Sequence, residues 1–320
     1  MKILITGGSG FIGTSLIDKL IKLGYEVANY DTLINFINNP KYYKTALKFR
    51  KKIFKKPTFN FKGSILDKKK LRSIFKIFKP EVVVHLAGLP MARPPVEHLS
   101  HMVPINLDGS LNVLAEFEES NTTKKIIYVS SSMAYGHFTQ NPQPEDFVLK
   151  PTNLYGATKA AGEYFVKLSN KEWVILRPTS VYGFTDCANR VSQLLIDAAL
   201  QKKSAWVVRG ESLDFSYLED VVDGFVKAIT HSKAVFQTFN ISRGESRHAV
   251  EFAEIVKKYF PKFKYEVKKP TNQQVYRGAL DISKAKSLLG FSPKYSIEDG
   301  IEETLNLMKK HQWHKHAYSY

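Results

Sequence analysis

Tyr155 and Lys159, four residues apart in "YGATKAAGE", are able to do proton chemistry as a pair. In a helix that spacing sets both side chains on one face. A lysine charge beside a phenol favours the phenolate, which makes the tyrosine a usable base near neutrality. The spacing alone is cheap, since Tyr265 and Lys269 in "YEVKK" repeat it. What sets Tyr155 apart is what precedes it. The stretch "YVSSSMAYG", residues 128–136, runs a strand-like segment into Ser130, Ser131 and Ser132. Hydroxyls crowded at the C-terminal end of a strand read as a site rather than a core. Further upstream, "TGGSGFIG" spaces Gly7, Gly10 and Gly13 between a strand and a helix. Gly7 permits a tight turn, Gly10 a close backbone approach to a pyrophosphate, and Gly13 close helix–strand packing. The helix N-terminus adds backbone donors and a favourable dipole for phosphates. Asp31 ends the next strand, 18 residues after Gly13. A carboxylate there accepts ribose hydroxyls and repels a 2′-phosphate, so NAD is expected rather than NADP.

Such residues need a sheet that presents strand ends along one edge. The chain alternates apolar runs with helical-period segments: "KILITGG", "FIGTSLIDKLIKLG", "EVANYD", "FNFKGS", "DKKKLRSIFKIFK", "EVVVHLAG", "INLDGSLNVLAEFEES", "KIIYVSSS", "YGATKAAGEYFVKLS" and "EWVILRP". Continuous apolar strands alternating with helices predict an α/β fold, a Rossmann-type doubly wound parallel sheet. After Pro178 the pattern loosens. A dinucleotide-binding domain over 1–177, with 214–241 returning, is expected beside a smaller mixed substrate-binding domain over 178–213 and 242–320.

At 320 residues, 43% hydrophobic and 24% charged, the composition is that of a soluble globular protein. No apolar run approaches the roughly 20 residues of a membrane span, so no membrane insertion is expected. "MKILITGG" enters a strand directly, without a signal-type apolar region. Cys187 is the only cysteine, which excludes an intrachain disulfide and points to a cytoplasmic location. The net charge of +17 raises nucleic-acid binding, most of all in the basic 41–56 segment. Lysines are spread over the other surface helices too, so solvated helix faces are the expectation and no nucleic acid is assigned. The histidines 311, 314 and 316 near the end read as a frayed terminus, and no metal is expected.

Taken together, these motifs resemble the extended short-chain dehydrogenase/reductase family, in its nucleotide-sugar epimerase/dehydratase branch. "LRPTSVYG", "DFSYLEDVVDGF" and "LDISKAKSLLGFSP" extend the likeness over nearly the whole chain, in the family's order. The resemblance implies Ser131 as the catalytic hydroxyl, Tyr155 as the base and Lys159 as the residue holding the nicotinamide ribose and lowering the tyrosine's pKa. It implies NAD binding by Gly7, Gly10, Phe11, Ile12, Gly13 and Asp31, by Leu86 and Ala87 of "VVVHLAG", and by Tyr155 and Lys159. Asn106 matches a structural asparagine. On the substrate side it implies Arg93, Ser131, Ser132, Ser180 and Arg277, with Arg190 and Arg209 as looser candidates; Arg93 follows small residues, as in the corresponding loop of uronate 4-epimerases. Sugar dehydratases of this branch carry an Asp-Glu pair after the catalytic hydroxyl; here Ser132 and Met133 stand there, which disfavours elimination. Two further departures are Leu213, where an arginine commonly precedes "DF", and Ser64, where an aspartate commonly touches adenine. The implied activity is NAD-dependent 4-epimerisation of a nucleotide sugar by transient C4 oxidation, with a homodimer expected. The alternatives are a nucleotide-sugar dehydrogenase or 4-ketoreductase, or a non-catalytic dinucleotide-binding protein.

Overall fold

The computed structural model describes residues 1–34, 40–92, 96–271 and 274–313. Its frame is a seven-stranded parallel sheet of β1 (Lys2–Thr6), β2 (Glu26–Asp31), β3 (Phe59–Lys62), β4 (Val82–His85), β5 (Lys125–Val129), β6 (Glu172–Pro178) and β11 (Gln237–Ile241). The order across the sheet is β11-β6-β5-β4-β1-β2-β3. Short apolar runs such as "VVVH" form the central strands, because helices cover both faces. The chain builds outward from β1 through β2 to β3, then crosses back to lay β4 on the other side of β1. That reversal leaves a crevice at the C-terminal ends of β1 and β4, where ligands of open α/β sheets bind.

One face is covered by α1 (Phe11–Lys22), α8 (Leu218–Thr230) and α10 (Ser283–Leu289), which bury Leu16, Leu20, Val221, Phe225, Ala285 and Leu289. The other is covered by α3 (Lys68–Phe78), α5 (Gly109–Glu119) and α6 (Leu154–Lys167). Each such leucine or phenylalanine contributes about 1.5–3 kcal/mol on burial. Capping fixes where the helices start. The Asp67 carboxylate accepts from Lys70 N at 3.0 Å, and the Asn153 side chain accepts from Gly156 N at 2.8 Å. The second cap starts α6 at Leu154 and so puts Tyr155 in its first turn. α4 (Val96–Val103) runs through a wider turn, Pro104–Asp108, into α5.

A second core lies beyond the sheet edge. There α7 (Val191–Leu200), α9 (Ala249–Tyr259) and α11 (Ile297–Lys310) pack with short ladders. The ladders pair β7 (Val181–Tyr182) with β10 (Ser216–Tyr217), β9 (Ser212–Leu213) with β12 (Arg247–His248), and β8 (Ala205–Val208) with β13 (Tyr265–Lys268). α2 (Pro40–Ile53) belongs to this core although it stands between β2 and β3 in sequence. Its Tyr42, Tyr43, Ala46 and Phe49 are buried, and Trp313 packs edge-on against Tyr42 and Phe49 at 5.6 and 5.2 Å. Lys44, Lys51 and Lys52 stay exposed. Most of the lysines in the basic run thus form the wet side of an amphipathic helix. Of the terminal histidines, His311 stacks on Phe184, while His314 and His316 lie outside the described residues.

Candidate active site

A cavity of about 1730 Å³ opens at the switch point and reaches from the glycine loop to the second core. Gly7, Gly10, Phe11, Ile12, Gly13, Asp31, Leu86 and Ala87 line one arm, and Ser131, Ser132, Tyr155, Lys159, Ser180, Arg190 and Arg277 line the rest. Arg209 is exposed on the turn after β8, with its backbone N donating to Lys268 O, and it does not line the cavity. Arg93 lies outside the described residues.

The glycine arm fits a dinucleotide. Gly7 has φ +75°, and a Cβ there would lie 2.6 Å from Ala87 N on the β4 turn. A Cβ on Gly13 would lie 2.6 Å from Gly8 Cα, so both positions are closed to any side chain. At Gly10 the only near atom is Gly7 O at 3.1 Å, which leaves its outer side open to the cavity. At the far end the two Asp31 oxygens accept from Ser9 N at 3.0 Å and Leu33 N at 2.7 Å. Each retains lone pairs for a ribose hydroxyl. Burial pushes the Asp31 carboxyl up, and the two backbone bonds and the charge of Arg50 hold it down. Arg50 comes from α2, is buried, and donates to Ser9 O at 3.1 Å and Thr185 O at 2.7 Å. It ties the glycine loop to the second lobe. Ser64 lines the same arm, with its hydroxyl accepting from Leu66 N at 3.2 Å.

The chemical end is built by β5 and α6. Ser131 caps the short turn Ser132–Tyr135, accepting from Met133 N at 3.2 Å, and lines the cavity together with Tyr155. Burial raises the Tyr155 phenol above its ordinary value; the Ser131 hydroxyl and the charge of Arg190 pull it back. Lys159 donates to Val129 O at 2.8 Å and is pushed down to about 8 by burial, with Glu163 pulling upward. Among the described residues, Arg190 adds a cationic pull on Tyr155. Met133 packs with Leu89, Met102 and Tyr155, and Ser132 donates to Thr179 Oγ1 at 2.8 Å. Neither supplies an acid beside Ser131.

Behind the site, Ser130 donates to Glu163 at 2.5 Å, and Glu163 pairs with Arg177 at 2.6 Å. Arg177 also donates to Tyr135 Oη at 2.7 Å and Glu145 O at 2.8 Å. This buried network holds the serine turn against α6. Asn106 accepts from Leu89 N at 2.7 Å and donates to Thr158 Oγ1 at 3.1 Å, joining the β4 turn to α6. Neither Arg50 nor the Glu163–Arg177 pair was read from the sequence. Glu163, one turn after Lys159 on the same helix face, carried a usable signal, and so did Arg50, which falls in step with Tyr42, Ala46 and Phe49.

The family model described as "NAD dependent epimerase/dehydratase family" matches residues 3–242. The chain belongs to that family. It is an NAD-dependent enzyme of the epimerase/dehydratase class, and the likeness to the extended short-chain dehydrogenase/reductases holds at the level of family and fold. Within the epimerase/dehydratase family it is 30% identical to a protein of Methanocaldococcus jannaschii named "Putative UDP-glucose 4-epimerase", over 96% of this chain and 98% of the relative. The crystal structure of Thermotoga maritima UDP-glucose 4-epimerase with UDP-glucose superposes with a TM-score of 0.86 at 27% identity, covering 98% of this chain and all of that one. That of Bacillus cereus UDP-glucuronic acid 4-epimerase with UDP-glucuronic acid and NAD superposes at 0.84 and 28% identity, over 97% and 99%.

Proposed function

We propose that this chain is a nucleotide-sugar 4-epimerase acting on a UDP-hexose or UDP-uronate by transient oxidation at C4. The observation that carries the reading is that Ser131 and Tyr155 line one cavity with the glycine loop, with Ser132 and Met133 where an eliminating acid pair would stand. The UDP-sugar 4-epimerases among its relatives support the substrate class. The glycine loop and Asp31 would hold NAD, which when bound would supply a hydride acceptor for C4. Tyr155 takes the proton of the C4 hydroxyl and gives it back, and Ser131 holds that oxygen in line with the phenol. Lys159, which donates to Val129 O in the cavity wall, is assigned to a ribose hydroxyl of the cofactor. Arg277, Arg190 and Ser180 line the substrate side of the cavity and are assigned to the nucleotide sugar. The substrate domain is assigned to 178–213 and 242–320 and the dinucleotide domain to 1–177 with 214–241, except that α2 packs with the former and α10 with the latter. α5 and α6 expose Leu111, Tyr164 and Leu168, which supports a homodimer through that pair of helices.

The test is incubation with UDP-glucose, and separately UDP-glucuronate, without added cofactor. Proton NMR is expected to show one of them equilibrating with its C4 epimer while no NADH accumulates. Stoichiometric NADH or an accumulating 4-keto sugar would instead identify a dehydrogenase.

A further inference from the structure

Beside Tyr155 stands an ion pair that the sequence patterns did not announce. Arg190, at the start of α7, donates to Asp186 Oδ1 at 2.7 Å. Asp186 is fully buried and lines the cavity; the same oxygen accepts from Ala188 N at 3.1 Å, while Oδ2 has no hydrogen-bond partner among the described residues. The charge of Arg190 reaches the Tyr155 hydroxyl, and its guanidinium lies 6.0 Å from the Phe11 ring centroid. The loop carrying the pair is set rigidly. Thr185 adopts φ of +71°, a conformation that a β-branched residue enters only when its surroundings impose it, and Asn189 adopts +53°, which asparagine tolerates. Arg50 grips Thr185 through its carbonyl at 2.7 Å and its hydroxyl at 3.2 Å. The Asp186 side of the pair is thus fixed in the wall, while Arg190 reaches it from the cavity surface.

We infer that the Asp186–Arg190 pair makes the sugar pocket selective for an uncharged hexose and against a sugar carrying a carboxylate on C6. The inference rests on the 4-epimerase reading and sharpens it. C6 is joined to C4 through C5, so its substituent enters the field of this pair whenever C4 faces Tyr155. A uronate carboxylate would gain most from a cation there, and the charge of Arg190 is already engaged by Asp186. If Arg190 turned to the substrate, Asp186 would be left buried and uncompensated, with one oxygen already bare. If Arg190 served both, two carboxylates would share one guanidinium beside a phenol that must ionise to act. A neutral hydroxymethyl group makes neither demand.

The experiment compares kcat/KM for UDP-glucose and UDP-glucuronate in the wild type and in Asp186→Asn, with C4 epimers followed by NMR and released NAD quantified. The wild type should prefer UDP-glucose by about tenfold or more, the scale on which juxtaposed like charges discriminate. Asp186→Asn, which frees Arg190, should move the ratio toward UDP-glucuronate by a similar factor. Because the variant is at risk of misfolding, calorimetric Kd values of both nucleotide sugars on the wild-type holoenzyme give a second readout, with the uronate expected to bind more weakly. A wild-type preference for UDP-glucuronate in both readouts would overturn the inference, leave the epimerase reading standing, and pass the carboxylate to another cation such as Arg93. An unchanged ratio in a folded Asp186→Asn would also overturn it. Absence of any C4 epimer, despite bound NAD, would instead bring down the 4-epimerase reading and this inference with it.

Discussion

The Tyr155 phenol is asked to lose a proton in a place where burial opposes its ionisation. Removing the hydroxyl while keeping the ring isolates that role. Tyr155→Phe is expected to lower turnover on the order of 10²–10⁴-fold, the usual worth of a positioned acid–base group, with a much smaller change in nucleotide-sugar Kd. A turnover equal to wild type would remove the mechanism. His85 offers a different test. Its Nε2 meets Ser110 Oγ at 2.9 Å and its Nδ1 meets Thr6 Oγ1 at 2.7 Å. Since Ser110 donates to Asn106 O, the imidazole is a neutral Nε2–H tautomer. Burial drives its pKa down from 6.5 to about 3. The unfolded chain binds this proton first, so the contribution is whole above pH 6.5 and lost at about 1.4 kcal/mol per pH unit as pH falls toward 3. Urea midpoints across that window should fall more steeply for wild type than for His85→Gln, and parallel curves would contradict the buried neutral imidazole. Of these residues, Tyr155 and Asp31 were legible because chemistry and spacing coincide in them. Asp186 was not, because its partner and its burial follow from left-handed loop residues that are not glycine.

At the scale of elements, the glycine turn after β1 is where geometry leaves least freedom. Gly7→Ala adds a methyl 2.6 Å from Ala87 N at a φ of +75°, so either the turn or the β4 end must shift. The purified variant is expected to retain little NAD after gel filtration and to melt lower than wild type; full retention would show that the turn yields. The alternation of strands and helices was readable from the first residue to Pro178, because parallel strands buried on both faces are continuous apolar runs. Two placements were not. α2 joins the second core and α10 joins the first, each against its position in sequence. An amphipathic stripe says that a helix must be covered and not by what.

For the whole molecule, the positive charge and the exposed residues of α5 and α6 pull in different directions, since repulsion opposes association while apolar contact favours it. We expect a dimer by sedimentation at micromolar concentration. Leu168→Glu should shift it toward monomer, and a wild-type monomer would discard the helix pair as an interface. One packing arrangement has a temporal consequence. Tyr42 and Phe49 close against Trp313 near the far end of the chain. On a ribosome adding about 5–20 residues per second, the apolar side of α2 emerges early and waits many seconds for its partner. The nascent chain thus carries an unfinished, lysine-rimmed apolar face through most of its own synthesis, and the like charge of those exposed lysines opposes association with a neighbouring nascent chain.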